Sequence, residues 1–444
     1  MAKIYMSNEQ EFWKERDLLP AGANYSTLFH IHADANKPRQ TMLGFGAALT
    51  GASCYVLHHA APEIRDTILR DLFSAEGACF NLARVCVGSS DYAYSCYCYD
   101  EVPGDVTMEH FSIAPDMDYV VPVLQAARRV NPDMKLYSSP WSPPGWMKTG
   151  GSMCGGWLRE QYIDAFVLYY LRFLQAYRDL GLPMYALTPQ NEAETDQISL
   201  MPASLLHPEY EMAFVKKIKP LLAENGLDTK IWILDHNYAL YHRVSWMLSE
   251  DEAFRDAVDG VAFHYYEGNA EMMTRVRGKE DLEFHITEGG PDPTDYDSGI
   301  GRYGETVIEA IRSGASSVTA WNAVLYEDGT PNIGPFGCLG LVTLDRERQT
   351  ITYSSYYKVL AHFARVLQPG AQYIETTRES YGMGDPILHK RYLDAAAFRN
   401  PDGSLVAVLV NPTDRKSENN LCLDGTEYRV PMGPNSICTI VTDA

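Results

Sequence analysis

Eight short runs of almost unbroken apolar, β-rich sequence recur between residues 44 and 321. They are Gly44–Leu49, Cys79–Val87, Met134–Ser139, Met184–Gln190, Lys230–Leu234, Gly260–His264, Glu283–Thr287 and Ser316–Trp321. Continuous apolarity predicts strands covered on both faces, as in parallel sheets, and not half-exposed hairpins. Between the runs, apolar positions recur every three to four residues, the helical period. Tyr162–Leu180 shows this best, and Gly181 with Pro183 just beyond supplies a helix stop signal. Pro220 is expected to interrupt the helical stretch that begins after Pro208. Eight strands alternating with helices predict an α/β protein built as a (β/α)8 barrel.

The two ends follow a different rhythm. After Leu367 the helical period fades, and strand-like runs appear at Ile387–Phe398, Leu405–Asn411, Tyr428–Pro431 and Ile437–Val441. The turn Asn400-Pro401-Asp402-Gly403 between the first two is a hairpin signal. Thr27–His32 near the start also reads as a strand. The expected division is therefore residues 1–42 as N-terminal strand(s) of a β-sandwich, 43–366 as the barrel and 367–444 as the rest of the sandwich.

Charge narrows the function classes. The 444 residues carry 37 Lys+Arg against 58 Asp+Glu, a net charge of −21. That balance argues against a nucleic-acid binder, which needs a basic face for phosphate, and against anionic membrane surfaces. No apolar run approaches the roughly 18 residues of a membrane span, and the opening MAKIYMSNEQEFWKERD has no signal-peptide core. Nine cysteines, with Cys79, Cys86, Cys338 and Cys438 in apolar strand-like runs, read as buried reduced thiols. These features predict a cytoplasmic protein. Cys96-Tyr97-Cys98 has no second ligand pair at metal-site spacing, so no metal is expected there. The oligomeric state is not written in the sequence.

Two carboxylates stand out. Leu187-Thr188-Pro189-Gln190-Asn191-Glu192 closes the fourth strand, and Phe284-His285-Ile286-Thr287-Glu288-Gly289-Gly290 closes the seventh. Barrel active sites form at these C-terminal strand ends. A pair of carboxyls across a barrel mouth is the apparatus of glycoside hydrolysis, one protonating the leaving oxygen and one acting at the anomeric carbon. The bland alternative is a pair of solvated loop glutamates. Trp141, in the Pro-rich loop after the third strand, and Trp321, ending the eighth, offer apolar faces to a sugar ring or else plug the barrel. Arg84 lies in an apolar strand and needs a carboxylate partner. Asp91 in the following loop can take a sugar hydroxyl. His264-Tyr265-Tyr266, ending the sixth strand, can hydrogen-bond a carboxylate or a hydroxyl, while a lone His264 is as readily a satisfied core residue.

In order along the chain come Gly44-Phe45-Gly46-Ala47-Ala48-Leu49-Thr50, Arg84 with Asp91, Ser139-Pro140-Trp141-Ser142-Pro143-Pro144-Gly145-Trp146-Met147-Lys148-Thr149-Gly150, Gln190-Asn191-Glu192, Thr287-Glu288, and Trp321-Asn322 followed by Gly329-Thr330-Pro331-Asn332. This ordered set resembles glycoside hydrolase family 30 from about residue 40 to the C-terminus. The resemblance implies a barrel joined to a β-sandwich and a retaining β-glycosidase, with Glu192 as acid/base and Glu288 as nucleophile. It implies that Asp91, Trp141, Asn191 and Trp321 hold the sugar, Asn191 through its 2-hydroxyl. It also implies that Arg84, His264 and Tyr266 surround the nucleophile, His264 and Tyr266 within reach of a bound sugar. Glu192 is expected to start protonated and Glu288 ionised, with no metal or organic cofactor. The expected substrate is a β-linked saccharide or β-glycoside cut by exo action, for example a β-glucoside or β-xyloside. An endo-β-glucanase or endo-xylanase is the alternative within the family, and a catalytically silent carbohydrate-binding protein the alternative outside it. Gly51 and the loop Ile333-Gly334-Pro335-Phe336 depart from the family pattern.

Overall fold

The computed structural model describes residues 2–20, 29–380 and 393–444. The eight runs become strands β1 (Gly44–Ala48), β2 (Leu82–Cys86), β3 (Lys135–Ser139), β4 (Met184–Leu187), β5 (Lys230–Asn237), β6 (Gly260–His264), β7 (Glu283–Glu288) and β8 (Ala315–Ala320). All pair in parallel and in sequence order, and β8 returns to β1 to close the barrel. Side chains alternate across each strand. On β2, Ala83 and Val85 face the core shared with the surrounding helices, which leaves Arg84 to point into the barrel. Tyr137, Ala186, Trp232 and Ala262 fill the interior beneath it.

On β5 this alternation is broken where it matters for the site. The β5–β6 register shifts so that Ala262 pairs with Leu234 but Phe263 pairs with His236. Leu234 and Asp235 take φ of 76° and 49°, the left-handed region. The bulge reverses the phase: Leu234 turns outward into the helix-side core, and Asp235 turns inward. Bulges commonly re-aim a side chain in this way beside active sites.

The predicted helix near 162–180 spans Ile163–Asp179, and Gly181 at φ 76° follows it. The expected break at Pro220 does not occur. One helix runs Pro208–Glu224 through it. Pro220 lies on the exposed side, where water can take up the carbonyl its ring leaves without a partner. Among the described residues, no helix is long and apolar enough to cross a membrane.

Beyond the barrel, strands from both ends of the chain form one hydrogen-bonded sheet, ten-stranded among the described residues. The N-terminal part supplies Lys3–Ser7, Lys14–Arg16, Leu19–Pro20 and Phe29–Thr41, a larger share than Thr27–His32 predicts. Thr27 and Leu28 lie outside the described residues, as do 387–392 of the expected run Ile387–Phe398, whose described strand is Asp394–Arg399. Leu405–Asn411 forms as expected. The expected runs at 428–431 and 437–441 lie within longer strands, Thr426–Met432 and Ser436–Val441. Gln372–Ser380 and Ser417–Leu423 join them. The sheet doubles over on itself, so that Ile4, Ile440, Leu421 and Val430, far apart in strand order, share one core. Its other face packs on the barrel. Ala407 and Leu409 enter the sandwich core, whereas Val406, Val408 and Val410 enter the barrel-side core. Burial on both faces is why this strand reads as a continuous apolar run.

All nine cysteines are free thiols. Cys86 and Cys438 are buried as expected, whereas Cys79 and Cys338 are only partly so. Cys338 lies in the loop after β8 and lines the cleft described next, not in a strand.

Candidate active site

A cleft of ≈620 Å³ opens at the C-terminal ends of the barrel strands. Asp91, Trp141, Asn191, Glu192, Tyr266, Glu288 and Trp321 line it. Arg84 and His264, both fully buried, lie beneath. All nine residues singled out from the sequence therefore converge on one place.

Arg84 is the hub. Its Nη1 donates to Glu288 Oε2 at 2.5 Å, and its Nη2 donates to Asn191 Oδ1 at 2.8 Å and Asp235 Oδ2 at 2.7 Å. Its Nε donates to Ser139 Oγ at 3.2 Å. The guanidinium carbon lies 4.6 Å from the centre of the Trp141 ring, a cation–π contact. Asp235 is equally saturated: Oδ2 also accepts from Ser139 and Thr188, and Oδ1 accepts from Thr287 at 2.7 Å and His264 Nε2 at 3.1 Å. Burial alone would raise the Asp235 carboxyl, but the Arg84 charge and these donors hold it far below the usual carboxylate range. A buried charge held this way is costly to unpair. Arg84→Met is expected to lower stability by about 3–5 kcal/mol near neutral pH, measured by urea unfolding. The sign with pH follows from Asp235, whose folded pKa is depressed. Its stabilising contribution is present above the unfolded value of about 3.9 and lost as pH falls below it, so the gap between wild type and variant narrows in acid.

Glu192 and Glu288 meet across a single imidazole. His264 Nδ1 lies 3.1 Å from Glu192 Oε1, and its Nε2 lies 3.9 Å from Glu288 Oε2. Glu192 adopts φ 51°, pinned by its backbone N–H donating to the Asp235 carbonyl at 3.0 Å. Glu288 Oε1 accepts from the half-exposed Tyr266 hydroxyl at 3.0 Å. Asn237 holds that tyrosine's loop by accepting from the Tyr266 backbone N–H at 3.1 Å. Gly289 follows Glu288 because a Cβ there would lie 1.8 Å from the Tyr265 ring.

The directions in which the two carboxyls are shifted differ from the expectation of a protonated Glu192 beside an ionised Glu288. Burial opposes charge on His264, yet Glu288 and its bonds to Asp235 and Glu192 push it up to about 9. Against its own burial, Glu192 is held low by His264 and by His236, whose Nδ1 lies 3.7 Å away. Burial raises Glu288, with Glu192 adding to the rise and His264 and Arg84 opposing it. These directions favour a protonated His264 whose Nδ1 donates to an ionised Glu192 Oε1. Burial and the two glutamates also push Asp91 up to about 8, and its Oδ1 has no hydrogen-bond partner.

Trp141 and Trp321 stack on each other with ring centres 5.0 Å apart and are almost fully buried. The face they share is occupied, so they form a rigid apolar floor and offer the cleft only their remaining surface. The departing loop Ile333-Gly334-Pro335-Phe336 closes the Asp91 side. The Ile333 N–H donates to the Asp91 carbonyl at 2.7 Å, and Tyr92 Oη donates to the Phe336 carbonyl at 3.1 Å. Only glycine fits at Gly334, where a Cβ would lie 2.6 Å from that of Asp91. Gly51 starts the first helix after β1, at a position where a Cβ would lie 3.5 Å from Ala93, an ordinary van der Waals distance.

Sequence reasoning missed Asp235, His236, Asn237 and Gln197. The first three follow the apolar run at the end of β5, the same position that drew attention to Glu192 and Glu288. Gln197 donates to Glu192 Oε2 from a turn in which Gln197, Ile198 and Ser199 all have positive φ. Nothing in the local sequence marks that turn.

Residues 42–367 match the glycosyl hydrolase family 30 TIM-barrel domain and residues 370–440 the beta sandwich domain of the same family. A putative glucosylceramidase 2 of Caenorhabditis elegans is 30% identical over 440 residues, covering 93% of this chain and 83% of the relative. An endo-1,6-beta-D-glucanase of Neurospora crassa is 30% identical over 412 residues, covering 88% and 82%. The crystal structure of SrfJ from Salmonella typhimurium superposes with a TM-score of 0.91 at 26% identity, covering both chains fully. With both domains matched along nearly its whole length, the chain belongs to glycoside hydrolase family 30 and is a glycoside hydrolase.

Proposed function

We propose that the protein is a retaining β-glycosidase in which Glu288 is the nucleophile and Glu192 the acid/base. The observation that carries this reading is that both carboxylates, from strands three apart in the barrel, reach one imidazole at the floor of one cleft. Glu288 attacks the anomeric carbon while the leaving oxygen takes the proton that Glu192 shares with His264. The covalent glycosyl-enzyme is then hydrolysed by water that gives its proton to Glu192. Arg84 and Tyr266 hold the Glu288 oxygens in line and favour their charged form. Asn191, oriented by Arg84, meets the 2-hydroxyl, and Asp91, with an oxygen still unpartnered, takes hydroxyls further round the ring. His264 and Tyr266 flank the bound sugar, and Trp141 and Trp321 form its apolar seat.

The shared proton sets the alkaline side of the pH profile. kcat/KM is expected to fall as that proton leaves, with a limb no higher than about 9, the value to which His264 is pushed. In His264→Gln the proton depends on a carboxyl alone, so the limb moves to lower pH by about one unit or more. An unmoved limb contradicts the shared-proton arrangement.

The substrate reading is exo action on a β-glucoside or a close relative such as a β-xyloside. The loop Ile333–Phe336 closing the Asp91 side supports it, while the cleft continues past Glu288 toward Pro293 and Arg302 for the leaving group. Endo action on a β-1,6-glucan is the second reading, favoured by the Neurospora relative. Chromatography of early products from a β-1,6-linked gluco-oligosaccharide separates them. Exo action releases monosaccharide first, and endo action releases intermediate oligosaccharides first. The nine free thiols favour a reducing, cytoplasmic location, which cell fractionation tests.

A further inference from the structure

His236 has no part in the double displacement, yet it is buried, and its Nδ1 faces Glu192 with no hydrogen-bond partner. Its Nδ1 lies 3.7 Å from Glu192 Oε1, and His264 Nδ1 lies 3.1 Å from the same oxygen. One donor atom from each of the three residues lies within 4.8 Å of the others. Tetrahedral zinc bound at about 2.0–2.2 Å to nitrogen and oxygen spaces its ligands by about 3.3 Å, a value that the two distances to Glu192 Oε1 bracket. A second feature fits a metal. His264 Nε2 is bonded to Asp235 Oδ1 at 3.1 Å, which leaves its Nδ1 lone pair for the cation, in the carboxylate–histidine–metal pattern of zinc sites. The bulge in β5 places both parts of this, Asp235 inward behind His264 and His236 beside Glu192.

We infer that Glu192, His236 and His264 form a binding site for a divalent cation of the zinc class, with its fourth position open to the cleft. The cation is an inhibitory ligand, not a cofactor. Bound there, it occupies the Glu192 oxygen and the His264 nitrogen between which the acid's proton lies. The inhibition, though not the binding, rests on the reading of Glu192 as acid/base.

The test strips the enzyme with a chelator and measures Zn²⁺ by equilibrium dialysis, with Co²⁺ absorption reporting coordination geometry. Wild type and Glu288→Ala are expected to bind one Zn²⁺ at this site. His236→Ala and, as a second variant, Glu192→Gln are expected to bind it at least about tenfold more weakly, with Co²⁺ losing its visible four- or five-coordinate bands. Turnover by wild type is expected to fall on adding Zn²⁺, to return with chelator, and to be indifferent to Mg²⁺. Zinc affinity unchanged in both variants, or no binding by wild type below millimolar concentration, overturns the site. Binding that depends on His236 but leaves turnover undiminished upholds the site and overturns the role given to Glu192.

Discussion

Replacing Glu288 with alanine is expected to lower kcat on an aryl β-glucoside by at least about 10⁴-fold, because no other group can form the covalent intermediate. The loss is chemical and not a collapse of the site. Arg84 keeps its bonds to Asp235, Asn191 and Ser139, so the guanidinium remains paired. The space left by the carboxylate is still faced by Arg84 Nη1 and the Tyr266 hydroxyl, two donors aimed at an anion. Added azide is therefore expected to enter it, restore measurable turnover and yield the α-glycosyl azide by a single displacement. Activity within tenfold of wild type, or a β-azide from this variant, contradicts the assignment.

Glu192→Ala is expected to behave differently with different leaving groups. A leaving alkoxide needs a proton in the transition state, and removing a general acid costs on the order of 10²–10⁴-fold. A dinitrophenolate needs none, so its departure is little slowed. The glycosyl-enzyme then accumulates because no base activates water, and a rapid burst precedes slow turnover. Azide, which needs no base, is expected to speed that second step and to give the β-azide from Glu192→Ala. The two variants thus yield opposite anomers, which assigns the roles independently of the rate losses. A loss equal across all leaving groups contradicts acid catalysis by Glu192.

The barrel was legible because parallel strands buried on both faces leave near-continuous apolar runs, and each of the eight runs overlaps a barrel strand. Glu192, Glu288 and Arg84 were legible for the complementary reason, charge where an apolar pattern gives it no use. Asp235 obeys the same rule, but its bulge hides it. A strand read as ending at Leu234 leaves Asp235 outside, and regular alternation would turn it away from the barrel axis. The sequence set His264 near the nucleophile, but its bond to Glu192, 72 positions away, was not legible, since nothing local marks it. The downward shift of Glu192 was not legible because it comes first from His264 and then from His236, neither of which the sequence places beside that carboxylate. The sandwich was only partly read, since strands joining the two chain ends depend on pairing and not on pattern.

The most direct measurement of the double displacement is ¹H NMR of the first sugar released by wild-type enzyme from an aryl β-glycoside, recorded before mutarotation. The account predicts the β-anomer as the initial product, with the α-anomer growing in later. An α-anomer appearing first means that Glu288 forms no covalent bond to the sugar, and the mechanism built on this pair of carboxylates is wrong.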